Sequence, residues 1–431
     1  MNYVLFGLIG MIILMIMVFN RLWVGASLIF VGFFGYAYIN GFTKSLIMVS
    51  MESYTQVGSY SFAVVVLFTF MGTVLAGTGM ADDLFKTADA WLGSIRGGIA
   101  IATLAACGVF AAVCGSSTAS ALTMSKAAFP EMKKLNYDER LSAATISAGG
   151  TIGILIPPSI GFIMYGLITE NSIAKLFMAG LVPGITQVLF YMVTVWIVLK
   201  IHPDWAPDNS NRKLPLKEKI RSLKGTWSMI VLIIVIMGGL YGGIFTATEA
   251  GAVGAVTSVL LALFSKKLTK KNFMSVSIDT AKTTGMVVFM LTGAYIFTRF
   301  LTVTRLPERM SEMAQKYAHS ELVLILAICL LYIILGMFLD IYAIIILSIP
   351  ILYPTIVAAG MNPIWFGVLM VRLMEVGMIS PPYGVNLFVT SSATGVPLNK
   401  MYRGSIPFLI ADALHIAMLI AFPQVALCLV K

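Results

Sequence analysis

The sequence predicts an all-α polytopic membrane protein, with inverted repeats, two re-entrant helical hairpins and two discontinuous helices. Three observations carry this prediction. Of the 431 residues, 59% are hydrophobic and 11% charged, where a soluble domain carries about 25% charge. Apolar runs recur from end to end, and several can span a bilayer core of roughly 30 Å. Finally, Gly153-Ile154-Leu155-Ile156-Pro157-Pro158 and Gly377-Met378-Ile379-Ser380-Pro381-Pro382 each place adjacent prolines inside an apolar segment. Pro157 and Pro381 stand 224 residues apart, as do the upstream Pro130 and Pro354. Helices that break at membrane depth free backbone hydrogen-bonding groups, so they need a protein-lined or wet site.

Membrane segments are expected at 3–19, 23–40, 60–80, 97–113, 117–129, 141–155, 158–169 and 174–200. They continue at 227–244, 249–264, 276–298, 321–337, 341–358, 364–377, 382–393 and 404–429. Nothing basic precedes the first segment and no small-residue cleavage site follows it, so it reads as a retained helix. Segments 41–58 and 300–320 are more polar, holding Lys44, Glu52 and Tyr54, and Arg305, Glu308, Arg309, Glu312 and Lys316. They read either as interfacial helices or as plain connecting loops.

The pieces 97–113, 117–129, 141–155 and 158–169 are too short to cross, and so are 341–358, 364–377 and 382–393, with 321–337 at the lower limit. Charge shows how to join them. Lys86 and Arg96 precede the pair 97–129, and Lys126, Lys133, Lys134 and Arg140 follow it. A re-entrant hairpin turning near Cys114-Gly115-Ser116 keeps both basic flanks cytoplasmic, as the positive-inside rule favours. The matching hairpin, 321–358, turns near Phe338-Leu339-Asp340 and ends at Gly360-Met361-Asn362-Pro363, an outer loop without basic residues. Five crossings separate Pro130 from Pro354, and an odd number inverts the second repeat.

The basic loop 201–225 (Arg212, Lys213, Lys217, Lys219, Arg221, Lys224) and the run Lys266, Lys267, Lys270, Lys271 are two crossings apart, so both face the cytoplasm. The net charge of +10 therefore holds loops inside the cell and does not call for nucleic acid. The expected division is 1–90, N-terminal scaffold and connecting helices; 91–170, first hairpin and broken helix; and 171–298, scaffold helices. Then come 299–320, a connecting arm; 321–394, second hairpin and broken helix; and 395–431, a C-terminal helix.

Cys107, Cys114, Cys329 and Cys428 lie in apolar surroundings without metal-ligand spacing and read as buried thiols. His202, His319 and His415 are scattered. No nucleophile–base set, metal cluster or phosphate-binding loop is visible, so neither an enzyme nor ATP-driven transport is expected.

The first tip, Cys114-Gly115-Ser116-Ser117-Thr118-Ala119-Ser120, is rich in hydroxyls. Small residues of this kind also serve close helix packing. As a cluster they suit a hard cation and a substrate, because Gly115 lets the backbone turn and Ser116, Ser117 and freed carbonyls can replace a water shell. At the first break the prolines strip carbonyls between Gly153 and Ile156 of helical donors. The helix restart at Pro158 presents N–H groups to an anion. Asp340 either caps the second half of its hairpin or sits near a cation. Arg372 and Glu375, three residues apart, either form a structural salt bridge or divide the work, Arg372 meeting a substrate carboxylate while Glu375 orients it. Arg299 is another candidate, at a helix end where it can snorkel.

At these residues the chain resembles the large membrane subunit of TRAP transporters (tripartite ATP-independent periplasmic transporters). The matching features are Gly115-Ser116-Ser117, Gly149 through Ser159, Tyr165-Gly166, Phe177 through Gly184, Gly336 through Asp340 and Glu375 through Phe388, together covering nearly the whole chain. The resemblance implies an elevator-type, Na⁺-coupled symporter in the bacterial inner membrane that takes up a small organic anion, such as a dicarboxylate or sugar acid. It implies a periplasmic binding protein that delivers the substrate and a separate small four-helix membrane subunit that braces the scaffold. Membrane lipid surrounds it; no cofactor is expected beyond Na⁺, two or more ions per cycle.

The cation ligands this implies are Gly115, Ser116, Ser117, Gly153, Ile156 and Pro157 in the first repeat, and Gly336, Asp340, Met378, Ser380 and Pro381 in the second. The expected substrate contacts are Ser116, Ser117, Thr118, Pro158, Ser159, Arg372, Glu375, Pro382 and Asn386. Ser380 stands where the family usually has Thr, and Arg372 is unusual there. The alternative function is a stand-alone permease, coupled to Na⁺ or H⁺, in which Asp340 and Glu375 relay protons. A third reading, from another class, is a structural membrane subunit with no translocation path.

Overall fold

The computed structural model describes residues 3–207, 214–317 and 321–430. Arg212, Lys213 and His319 lie outside the described residues. The described elements are helical, in chain order α1 (Tyr3–Phe19), α2 (Val24–Asn40), α3 (Phe42–Val57), α4 (Ala63–Gly77), α5 (Met80–Leu92), α6 (Gly98–Cys114) and α7 (Ser117–Ala127). Then come α8 (Phe129–Lys134), α9 (Glu139–Leu155), α10 (Ile160–Thr169), α11 (Ile173–Ile201), α12 (Leu216–Tyr241), α13 (Ala247–Phe264) and α14 (Lys270–Thr304). The chain closes with α15 (Leu306–Tyr317), α16 (Glu321–Phe338), α17 (Ile341–Ala358), α18 (Pro363–Met378), α19 (Val385–Thr394), α20 (Leu398–Ala421) and α21 (Gln424–Leu427). Among the described residues, nine spans are long and apolar enough to cross a membrane, α16 and α17 among them, so 341–358 is not too short to cross as its sequence suggested; this is an all-α polytopic membrane protein.

One body is built on α2, α4, α13 and α14. Small residues let these helices approach closely, as membrane packing requires where burial of apolar surface gives no net drive. A Cβ on Gly293 of α14 would stand 2.7 Å from the Gly25 carbonyl of α2, and one on Gly32 would stand 2.9 Å from the Phe297 backbone. Thr73 and Thr280 hydroxyls join α4 to α14 at 2.7 Å. Arg299 donates to Glu52 Oε1 at 2.6 Å, tying α14 to α3, so this arginine has a partner within the body. The polar segments 41–58 and 300–320 are helical where described, as α3 and α15.

A second body gathers α6, α7, α9, α10 and α16 to α20. Its heart is buried on all sides: residues 141–166 and 364–380 carry no exposed position. A stretch this apolar and enclosed sits among other helices and not against lipid. By contrast α1, α11 and α16 keep broad apolar faces exposed, including Ile12, Ile16, Leu189, Val193, Leu326 and Leu330. Apolar faces of this kind suit contact with lipid.

The helix α11 packs on α6, α9, α18 and α20, and touches α12 only lightly. Its glycines explain the approach. A Cβ on Gly180 would lie 2.7 Å from the Leu155 carbonyl oxygen, and one on Gly184 would lie 2.4 Å from Ile156 Cγ1. The helix α5, which was not among the expected membrane segments, is amphipathic, with Asp82 and Asp83 in its first turn. Asp83 pairs with Lys267, binding α5 to the loop after α13.

Candidate functional site

Both proline pairs interrupt their helices, and a helix-pair tip rests on each interruption. At the first tip α6 ends at Cys114 and Gly115 turns the chain at φ +62°. That left-handed value suits glycine, and a Cβ there would lie 3.0 Å from the Pro158 carbonyl oxygen. Ser116 then caps α7, its Oγ accepting the Ala119 N–H at 3.4 Å and lying 3.4 Å from Thr118 Oγ1. Behind the tip, a Cβ on Gly153 would stand 3.0 Å from the Ser116 carbonyl oxygen. The helix α9 stops at Leu155 because Pro157 and Pro158 offer no N–H to the Gly153 and Ile154 carbonyls. Ser159 restarts the chain as cap of α10, its Oγ accepting the Phe162 N–H at 3.3 Å.

The second tip rests on the second break. Asp340 caps α17, its Oδ1 accepting the Ala343 N–H at 2.9 Å. The tip glycine Gly336 meets the break glycine Gly377 backbone to backbone: a Cβ on Gly377 would stand 2.5 Å from Gly336 Cα. The Gly384 N–H donates to the Met337 carbonyl at 3.2 Å. Around Gly384, at φ +63°, the Met378 and Ser380 carbonyl oxygens converge, each 3.1 Å from where a Cβ would sit. The Ser380 hydroxyl turns back to donate to the Val376 carbonyl at 2.7 Å. Here the two breaks differ: Pro157 and Pro158 are buried, while Pro381, Pro382 and Tyr383 are exposed. Tyr402 of α20 donates to the Pro382 carbonyl at 2.6 Å.

The two tip-and-break units meet at one contact of particular chemistry. Ser117 Oγ donates to Glu375 Oε1 at 2.5 Å, and both side chains are buried. Glu375 Oε2 has no partner, and neither does either polar atom of the Asn386 amide. Ser120 Oγ and Thr390 Oγ1 are likewise unpartnered. The helix α19, which carries Asn386 and Thr390, packs on α7 and α9. Buried polar groups ordinarily find partners, and a carboxylate left half-satisfied in a low-dielectric interior is costly. These five unsatisfied atoms lie on three helices, α7, α18 and α19.

Arg372 is engaged with α20. Its guanidinium pairs with Asp412 of α20, and its Nε donates to His415 Nδ1 at 3.2 Å. Gln187 of α11 donates to the same Asp412 oxygen at 3.0 Å, and Thr186 Oγ1 meets His415 Nε2 at 2.9 Å. The Arg372–Glu375 salt bridge is not formed: spacing by three permits a shared helix face, but Asp412 takes the guanidinium. With only 1% of its surface exposed, Arg372 is enclosed in this cluster. Asp412 was not foreseen. Its signal was an acid three residues before His415 inside an otherwise apolar run.

Two tips seated on two proline breaks, in a chain of long apolar helices, define a polytopic α-helical membrane transporter. Residues 11–425 match the family described as Tripartite ATP-independent periplasmic transporter, DctM component, and the chain belongs to that family. It is 35% identical over 378 residues to the C4-dicarboxylate TRAP transporter large permease protein DctM of Pseudomonas aeruginosa, with 86% of each chain covered. It is 28% identical over 426 residues to the sialic acid TRAP transporter large permease protein SiaM of Vibrio cholerae, covering 99% of this chain and 97% of that one. Among solved structures, the Alcanivorax borkumensis YdaH transporter shares the fold at a TM-score of 0.64 and 13% identity, over 90% of each chain. The chain is a transporter subunit and not an enzyme, and no cluster of metal-binding side chains occurs among the described residues.

Proposed function

We propose that this chain is the translocating subunit of a Na⁺-coupled symporter for a small organic anion in a bacterial inner membrane. The observation that carries this reading is the paired arrangement of tip and break, joined across the repeats by Ser117 and Glu375. Freed carbonyls at each break, with the turn at Gly115, suit an alkali cation that replaces water with protein oxygens. The restarts of α10 and α19 direct N–H groups and positive dipole ends into the same region, where a carboxylate fits. Held together, cation and anion offset each other's dehydration. Both relatives named above are called transporters of acids, a C4-dicarboxylate and a sialic acid, and a carboxylate suits the site for the same physical reason. The second break, exposed at Pro381 to Tyr383, gives this site its opening.

The two repeats, with their hairpins re-entrant and their topology inverted, form the moving unit of an elevator. We place α11 and α20 in it, α11 against its expected place among the scaffold helices of 171–298, since the glycines of α11 lie on the first break and Gln187 bonds to Asp412. The body around α2, α4, α13 and α14 stays fixed, braced by a small four-helix membrane subunit. A periplasmic binding protein delivers the substrate. The test is uptake of organic acids into proteoliposomes holding the complete complex, with the binding protein added outside. Uptake requires an inward Na⁺ gradient on this reading; uptake indifferent to that gradient eliminates the coupling. Uptake without the binding protein moves the assignment to a stand-alone permease.

A further inference from the structure

An apolar trough runs along the outside of the second body, between α11 and α20. Its volume is about 620 Å³. Leu189, Val193 and Ile197 form one wall and Ile406, Ile410 and Leu414 the other. The two helices are antiparallel, so the Ile201 end of α11 meets the Arg403 end of α20. That end is cytoplasmic by the positive-inside rule, since α11 leads into the basic loop 201–225. Arg403 lines the trough's mouth together with His202 and Trp205. It also lines a second, polar cavity of about 610 Å³ formed with Asp138, Glu139, Arg140 and Lys400.

The polar cavity is lined by three cations, Arg140, Lys400 and Arg403, and two acids, Asp138 and Glu139, with Asp204 close to Arg140 outside that lining. Arg140 pairs with Asp138 at 2.8 Å, and Lys400 pairs with Glu139 at 2.8 Å. The Arg403 guanidinium has no ion pair among the described residues, although it stands between the apolar and polar cavities. The depth is also informative. Eleven helical residues separate Arg403 from Leu414, a rise of about 16 Å, which is half of a roughly 30 Å hydrocarbon core. The trough is therefore one leaflet deep, apolar along its length and cationic at the membrane surface. Guanidinium groups bind phosphate oxygens in a planar, bidentate geometry.

We infer that this trough is a binding site for an anionic glycerophospholipid of the cytoplasmic leaflet. One acyl chain lies between α11 and α20, and the phosphate sits on Arg403. The glycerol headgroup of phosphatidylglycerol enters the polar cavity beside Asn399 and Lys400. This assignment rests on the membrane setting of the chain and stands whether or not the coupling ion is Na⁺.

The test uses the full chain in nanodiscs of phosphatidylcholine doped with phosphatidylglycerol that bears a photoactivatable acyl chain. Labelled peptides are counted by mass spectrometry, with labelling of the exposed faces of α1 and α16 as an internal reference. Labelling should concentrate on 189–201 and 406–414, saturate with phosphatidylglycerol, and resist competition by inorganic phosphate. Arg403→Ala should lower the trough-to-reference ratio about fivefold, the effect of one surface cation on an anionic lipid. Arg403→Lys should retain most of it, and Ile410→Trp should fill the trough and displace the label. A misfolded variant changes the reference labelling as well, so it is recognised. Labelling spread in proportion to exposure, or unchanged by Arg403→Ala, overturns the site. So does full displacement by inorganic phosphate, or a trough shielded in the assembled complex by a helix of a partner subunit.

Discussion

Removing Asp412 tests the buried cluster around Arg372. In Asp412→Ala the guanidinium keeps its place between α18 and α20, where it is 1% exposed, but loses its counter-charge. Breaking a buried pair from one side costs about 3–5 kcal/mol. Gln187 loses its acceptor as well, adding about 1 kcal/mol. Insertion of an unpaired arginine at mid-helix costs about 2.5–3.5 kcal/mol by translocon measurements, which supports the lower end. The apolar double variant Arg372→Met/Asp412→Leu removes both charges and should come within about 1–2 kcal/mol of the natural protein. Unfolding in mixed micelles, followed by tryptophan fluorescence, measures all three variants, and the cycle yields the coupling energy. On the reading that Asp412 and His415 take up the enclosed guanidinium, the double variant should also keep its affinity for substrate. A single variant within about 1 kcal/mol of the natural protein, or a double variant that folds but no longer binds substrate, would refute this reasoning.

Three further outcomes follow from the geometry. Ser117→Ala removes a bond to the Glu375 carboxylate and joins its free oxygens to the other unpartnered atoms. It should lower Na⁺-driven uptake by at least about tenfold, the equivalent of 1.4 kcal/mol, while circular dichroism stays unchanged; equal uptake would remove Ser117 from the site. Gly377→Ala forces a Cβ to within 2.5 Å of Gly336 and should cost about 1–3 kcal/mol by overpacking, read as a lower melting temperature in detergent. Asp138, the N-cap of α9, is pushed up by partial burial, but the hydrogen bonds and charge of Arg140 outweigh this and hold it below its ordinary value. Its contribution to stability is thus present above the unfolded carboxylate value of about 3.9 and lost as pH falls through the lower folded value. Asp138→Asn should therefore flatten acid melting curves in that range, and an unaltered curve would show that the Arg140 contact carries no stability.

The breaks were legible because proline acts locally. Pro157-Pro158 and Pro381-Pro382 remove donors wherever they stand, so α9 and α18 end where the motifs said they would. The glycine turn at Gly115 was legible for the same local reason. Partner choice was not. From Arg372 the sequence offers Glu375 on the next turn, and only the packing of α18 on α20 brings Asp412 within reach. Ser117 and Glu375 are 258 residues apart in the chain, and spacing alone gives no reason for them to touch. The amphipathic α5 escaped the segment search because its charges, Asp82 and Asp83 among them, break the apolar run that marks a span. The run Phe177 through Gly184 stood out as a motif, but its use appears only where Gly180 and Gly184 lie against Leu155 and Ile156.

The account depends on the two tips and two breaks moving as one unit past the body around α14. Spin labels at Ser392→Cys on α19 and Phe264→Cys on α13, in a protein whose exposed Cys428 has been replaced, report that displacement as a distance. In proteoliposomes with Na⁺ and a transported acid, pulsed dipolar spectroscopy should show two separated distance populations whose ratio shifts with substrate. A single distance, unchanged by ion and substrate in a preparation that still transports, would contradict it.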